Sequence, residues 1–160
     1  MHKLNSAISL NRTMEKIHFV QDYKAPLKNV FSFYSDHNRW SEIMPAVIRR
    51  IVDSPNPSNC NDAGSQRIII SLGGIFAETI TKYIENKQID YAITFGSPLK
   101  NHKGTMKFIE LSPTSCRLDY TIVFEPKIPK TGFILRNILE KQVGNGIREL
   151  ARKFEKNPNF

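Results

Sequence analysis

No apolar run in this 160-residue chain approaches the roughly 18–20 residues that a membrane-spanning helix needs. The longest are short, such as Ile68-Ile69-Ile70 and Gly132 to Leu135. Cysteine occurs only twice, as Cys60 and Cys116, too few for a disulfide scaffold, so the chain reads as a cytoplasmic protein with two reduced thiols. No HExxH, CxxC, GxSxG or P-loop pattern occurs. The histidines His2, His18, His37 and His102 show no metal-ligand spacing. Gly144-Asn145-Gly146 looks like half a dinucleotide fingerprint, but it lies inside a helical pattern and follows no strand. These gaps argue against a metalloenzyme, an α/β-hydrolase or a nucleotide enzyme. No metal and no cofactor are expected. No two carboxylates stand out as an acid/base pair, so no catalytic residue is assigned. Met1 to Thr13 lacks the apolar core of a secretory signal and reads as a flexible leader, with residues 14–157 as a single domain.

What is present is an ordinary globular composition, 40% hydrophobic and 24% charged. Ile17 and Phe19 alternate with Lys16, His18 and Val20, a half-buried strand over Met14 to Tyr23. Pro26 presets the start of a short helix, whose face is Leu27, Val30, Phe31 and Tyr34. Asp36 offers an N-cap for a second short helix through Trp40. Strand patterns then follow one another at Val47 to Asp53, Arg67 to Leu72, Ile75 to Glu85, Ile89 to Phe95, Thr105 to Leu111 and Cys116 to Phe124. Gly73-Gly74 reads as the tight turn of a hairpin, and Gly96 to Gly104 as a connecting loop. Short turns between successive strands imply an antiparallel meander. From about Thr131 to Lys156, apolar residues recur at three- and four-residue steps, a long helix. Gly144 and Gly146 interrupt it, each costing about 1 kcal/mol against alanine. They are there either for close packing or to leave space.

This order, one strand, two short helices, six strands and a long helix, is that of the helix-grip fold. Local residues agree with it. Ala25-Pro26-Leu27-Lys28-Asn29-Val30-Phe31, then Asp36, Arg39-Trp40 and Pro45, then Gly64-Ser65-Gln66-Arg67, follow one another as in a known pattern. Glu78, Tyr91, Gly104 and Phe124-Glu125-Pro126 continue it. The chain resembles the START-like, Bet v 1-like (SRPBCC) superfamily over about Met14 to Phe154, in its polyketide cyclase/dehydrase and lipid-transport-like branch. The resemblance implies an α+β domain: an antiparallel sheet of about seven strands wrapped on the C-terminal helix, with an apolar cavity between them. It implies binding or carriage of a lipid, polyketide or quinone-like molecule. The alternatives are a polyketide cyclase/dehydrase and a quinone-handling or ribosome-associated interaction module.

Candidate ligand-binding residues are polar groups on strands that otherwise alternate apolar, plus one glycine. Tyr91 and Tyr120 share the apolar register of their strands, so both rings point inward, either as core residues bonded to backbone or as cavity hydroxyls. Arg67 shares a face with residues 69 and 71. There it is either a surface arginine or the clamp for an acidic head group. Gly144 is the fourth candidate, as space under the helix. Glu78 is read as exposed on the outer face, because a buried glutamate would need a partner or a raised pKa. Trp40 is read as core.

Charge adds one further lead. The chain carries a net charge of +8. Lys127 to Phe160 holds eight Lys/Arg against three Glu, a net +5. Arg148, Arg152 and Lys156 form a stripe along one helix face. It reads as solvated surface or as a peripheral contact with an anionic membrane. No aromatic/basic signature of an RNA-binding sheet accompanies it, which argues against a nucleic-acid partner. Nothing in the sequence sets an oligomeric state.

Overall fold

The computed structural model describes residues 14–160, and the expected leader lies outside the described residues. The chain runs β1 (Glu15–Tyr23), α1 (Leu27–Ser35), a 3-10 helix (His37–Glu42), β2 (Val47–Val52), β3 (Gln66–Ser71), β4 (Gly74–Ile84), β5 (Gln88–Phe95), β6 (Leu99–Ser112), β7 (Ser115–Pro126) and α2 (Gly132–Lys156). Each element forms for a local reason. Pro26 caps the start of α1, and the Asp36 carboxylate accepts from the Asn38 amide at 2.9 Å to start the 3-10 turn. In β7, Cys116, Leu118, Tyr120, Ile122 and Phe124 are all buried while the residues between them are half-exposed, the period-2 signature of a one-sided strand.

The seven strands form one antiparallel sheet in the order β1-β7-β6-β5-β4-β3-β2. Strands β2 to β7 are a continuous meander, and β1 closes the far edge against β7. This is the helix-grip arrangement that the element order predicts. The helix α2 lies mainly against β1 and to a lesser extent β7. Its C-terminal half packs dry. Ile147, Leu150 and Phe154 are buried there, with Phe154 edge-on to Tyr23. At the same end α1 plugs the sheet through Phe31, which meets Phe108 edge-on at 5.0 Å. The N-terminal half of α2 has no such filling beneath it, and the space left there is the candidate site.

Two sequence expectations change. The segment read as a loop to Gly104 is already strand from Leu99. Asn101 adopts φ +50°, and the pairing with β7 shifts between Lys100 and Lys103. The irregularity rotates the strand and turns His102 inward, onto the face of Met106 and Phe108. The hairpin turn is Leu72-Gly73 and not Gly73-Gly74, since Ser71 pairs with Gly74.

Candidate ligand cavity

Between the inner face of the sheet and the first half of α2 lies a cavity of about 370 Å³. Leu135, Leu139 and Val143 of α2 roof it, and Ile69, Phe76 and Ile93 wall it. It opens beside Leu72, Pro98 and Ile138, of which Leu72 is fully exposed. The lining is mostly apolar, with its polar residues concentrated on the strands.

Three of the four sequence candidates meet there. Arg67, Tyr91 and Tyr120 all line the cavity and are all buried. Arg67 stands directly opposite Glu78 in the β3–β4 pairing. Its Nε donates to Glu78 Oε2 at 2.7 Å, and its Nη2 lies 2.6 Å from the same oxygen. Glu78 is therefore buried and inward, not exposed on the outer face as expected. The physical reason is the partner: a lone buried carboxylate is costly, whereas one facing an arginine across a strand pair is neutralised. The guanidinium stacks 4.6 Å from the Trp40 ring and 5.0 Å from the Tyr91 ring. Trp40 thus serves both as core and as cavity wall, and its indole N–H donates to the Tyr34 carbonyl at 3.0 Å.

Tyr91 and Tyr120 are hydrogen-bonded hydroxyl to hydroxyl. Tyr91 reaches its partner across β6 because its neighbour in the pairing is Gly104. A Cβ at Gly104 would collide with the Tyr91 ring, so glycine is required at that crossing. The fourth candidate, Gly144, is placed elsewhere. Its missing side chain accommodates Phe19 of β1 and the Arg148 guanidinium, outside the cavity lining. Gly146 likewise lets α2 approach the Ile43 carbonyl and Met44. Both glycines are explained by close packing.

Sequence reasoning missed His102 and Glu78 as cavity residues. His102 is buried beside Tyr91, with ring centroids 5.6 Å apart, and its Nδ1 has no partner among the described residues. Burial, together with the Arg67 charge, lowers its pKa, partly offset by Glu78. It is neutral at pH 7. Burial opposes the charge on Arg67, but Glu78, Tyr91 and the carboxylate hydrogen bond outweigh it and hold the guanidinium protonated above its ordinary range. Burial, and in addition the Glu78 charge, raises both tyrosines, so both keep their protons. The only hint of His102 in the sequence was its place two residues before Gly104.

Among the described residues no three His, Cys, Asp or Glu side chains gather into a metal site. No described helix is long and apolar enough to cross a membrane. Both cysteines are free. In the basic stripe, Arg148 bonds Asn145 at 2.7 Å and Arg152 bonds Glu149 at 2.8 Å, both exposed on α2 and away from the cavity.

A family model described as polyketide cyclase / dehydrase and lipid transport matches residues 14–156. No curated protein matches the chain. Among solved structures, a START superfamily protein from Mycobacterium smegmatis superposes with a TM-score of 0.75 at 16% identity, covering 88% of this chain and 97% of that one. The ZhuI aromatase/cyclase from Streptomyces sp. R1128 gives 0.71 at 14% identity, covering 89% and 96%. Norcoclaurine synthase from Thalictrum flavum, in complex with dopamine and hydroxybenzaldehyde, gives 0.63 at 12% identity, covering 89% and 88%. At these identities the likeness concerns the fold, that of the START/Bet v 1-like group.

Proposed function

Because this chain belongs to the polyketide cyclase / dehydrase and lipid transport family, we propose that it binds and carries a hydrophobic small molecule in the cavity between sheet and α2. The observation that carries this reading is the cavity itself, about 370 Å³ of mostly apolar walls with a few polar groups converging on one side. Its entrance at Leu72, Pro98 and Ile138 gives a ligand a way in. Burial of apolar ligand surface supplies the driving force, about 25 cal/mol per Å² before the costs of association. Tyr91 and Tyr120 orient the ligand, with Arg67 holding Glu78 in place beside them.

The test is binding of the hydrocarbon fluorophore 1,6-diphenylhexatriene. The expected result is one site per chain, lost in Leu139→Trp, which fills the roof of the cavity. Binding that survives this substitution, or no binding by the native protein, overturns the reading. Gly144→Leu is the wrong filling variant, since it would strike Phe19 and not the ligand.

A cyclase/dehydrase activity is the second reading. It is favoured by the two protonated tyrosines beside a guanidinium, groups that can polarise a ketone and protonate an enolate. Incubation with a poly-β-ketone mimic separates the two: a carrier returns the compound unchanged, and a cyclase consumes it. Peripheral contact of the Arg148, Arg152 and Lys156 stripe with an anionic membrane belongs to the same proposal. It is read out as vesicle binding that weakens as salt is added.

A further inference from the structure

The polar side of the cavity can be accounted for group by group. Tyr91 and Tyr120 carry two hydroxyl protons between them, and their mutual hydrogen bond uses one. No described residue accepts the other. Arg67 makes both of its contacts to Glu78 through Oε2. Oε1 accepts no hydrogen bond from the described residues, and it is not among the fully enclosed unpartnered atoms. Glu78 lines the cavity, so this oxygen is the carboxylate's free acceptor there. Arg67 Nη1 also has no partner among the described residues, but it is fully enclosed, with the guanidinium held between the Trp40 and Tyr91 rings. A ligand therefore meets one free O–H donor, one free carboxylate oxygen and the His102 Nε2, which bonds no described residue and is not fully enclosed.

Resting on the carrier reading, we propose that this end of the cavity selects a neutral hydroxyl head group, an alcohol or a phenol, and rejects carboxylates. A hydroxyl is the group that satisfies both partners. Its oxygen accepts the unused tyrosine proton, and its own proton goes to Glu78 Oε1. A ketone or ether accepts from tyrosine but leaves Oε1 unbonded. A carboxylate fares worse. The Arg67 charge is already neutralised by Glu78, so an anionic head would bring an uncompensated charge into a buried space beside a like one. Neutral His102 offers no compensating cation. The acidic head group that the sequence suggested for Arg67 is thus the class the geometry disfavours.

The experiment displaces bound 1,6-diphenylhexatriene at pH 7 with three naphthalenes of similar size: 2-naphthol, 2-methoxynaphthalene and 2-naphthoate. 2-Naphthol should bind about tenfold more tightly than the methoxy compound and more tightly still than the naphthoate. Equal displacement by all three overturns the proposal and leaves an apolar carrier. Preference for naphthoate also overturns it and shows the Arg67 charge to be open to anions. If diphenylhexatriene itself does not bind, the carrier reading fails and the proposal with it. In the double variant Tyr91→Phe, Tyr120→Phe, the preference for 2-naphthol over 2-methoxynaphthalene should fall several-fold. An unchanged preference for 2-naphthol over 2-methoxynaphthalene in the double variant overturns the proposal. The ligand series runs on the unmodified protein, so it stands whether or not the variant folds.

Discussion

Two pairs of buried tyrosines touch hydroxyl to hydroxyl in this protein, and they differ in the fate of the second proton. Tyr23 and Tyr34 meet at 2.6 Å under the closed end of the domain, and Tyr23 donates onward to the Ile147 carbonyl at 3.4 Å. Both protons are used, and aromatic rings from Trp40, Phe108 and Phe154 surround the pair. Tyr91 and Tyr120 make the same contact at the cavity, with one proton left over. The sequence context is similar: Tyr23, Tyr91 and Tyr120 hold the apolar register of a strand, and Tyr34 the apolar face of α1. The pair that is only structural is the one that reaches a backbone acceptor. The pair that can bind something is the one beside space. Tyrosine identity and register therefore do not distinguish a core hydroxyl from a site hydroxyl, and the surrounding volume does.

The largest expected effect strikes the support of the cavity pair. Arg67→Met leaves Glu78 buried without its cation and should cost about 3–5 kcal/mol. Adding Glu78→Leu should return most of it, as urea unfolding of the single and double variants would measure. A double variant no more stable than the single one would mean that the ion pair is not what the inner face rests on.

Acid should separate the two regions next. The buried histidines, His37 and His102, both feel the Arg67 charge, and neither is among the groups that perturb Tyr23 or Tyr34. Burial, with help from Arg67 and Arg50, brings His37 down to about 3. Its folded pKa lies below the ordinary value of about 6.5, so between those values the unfolded chain binds the proton and the folded one does not. Stability is full above about pH 6.5 and falls as the pH drops toward 3, by about 2–3 kcal/mol at pH 4.5. His37→Asn should flatten that slope in urea titrations at pH 7, 5.5 and 4.5. Hydrogen exchange should show β3 opening in acid before the Tyr23 side does.

The smallest effect tests the comparison directly. Tyr23→Phe strands the Tyr34 hydroxyl in a dry core and should cost about 1–3 kcal/mol. Tyr120→Phe leaves Tyr91 free to turn its hydroxyl into the cavity and should cost under about 1 kcal/mol. Equal losses in the two variants would erase the distinction drawn above.

The closed end was the more legible half. The alternation in β7, the period of α2 and the Asp36 cap all stand in the structure where the residues put them. The cavity was harder, for reasons of pairing. Arg67 and Glu78 each look like surface residues on a single strand, and only the register of β3 against β4 joins them. That register depends on the turn. Centred on Leu72-Gly73 it sets Arg67 against Glu78, and a turn one residue later would not. His102 was hidden because Leu99 to Gly104 is polar and does not alternate, and the irregularity at Asn101 that turns it inward is a backbone event. Gly144 was misjudged because a glycine marks close approach without saying to what.

Gly104 has a spectroscopic consequence. The α-hydrogen that stands where a side chain would begin points at the Tyr91 ring. It therefore lies in the shielding region of that aromatic current, and its resonance should fall well upfield of other glycines. A guest that tilts the ring as it engages the tyrosine hydroxyls moves that single proton line. The domain thus carries its own label-free reporter of occupancy, readable by two-dimensional NMR on unmodified protein before the natural guest is known.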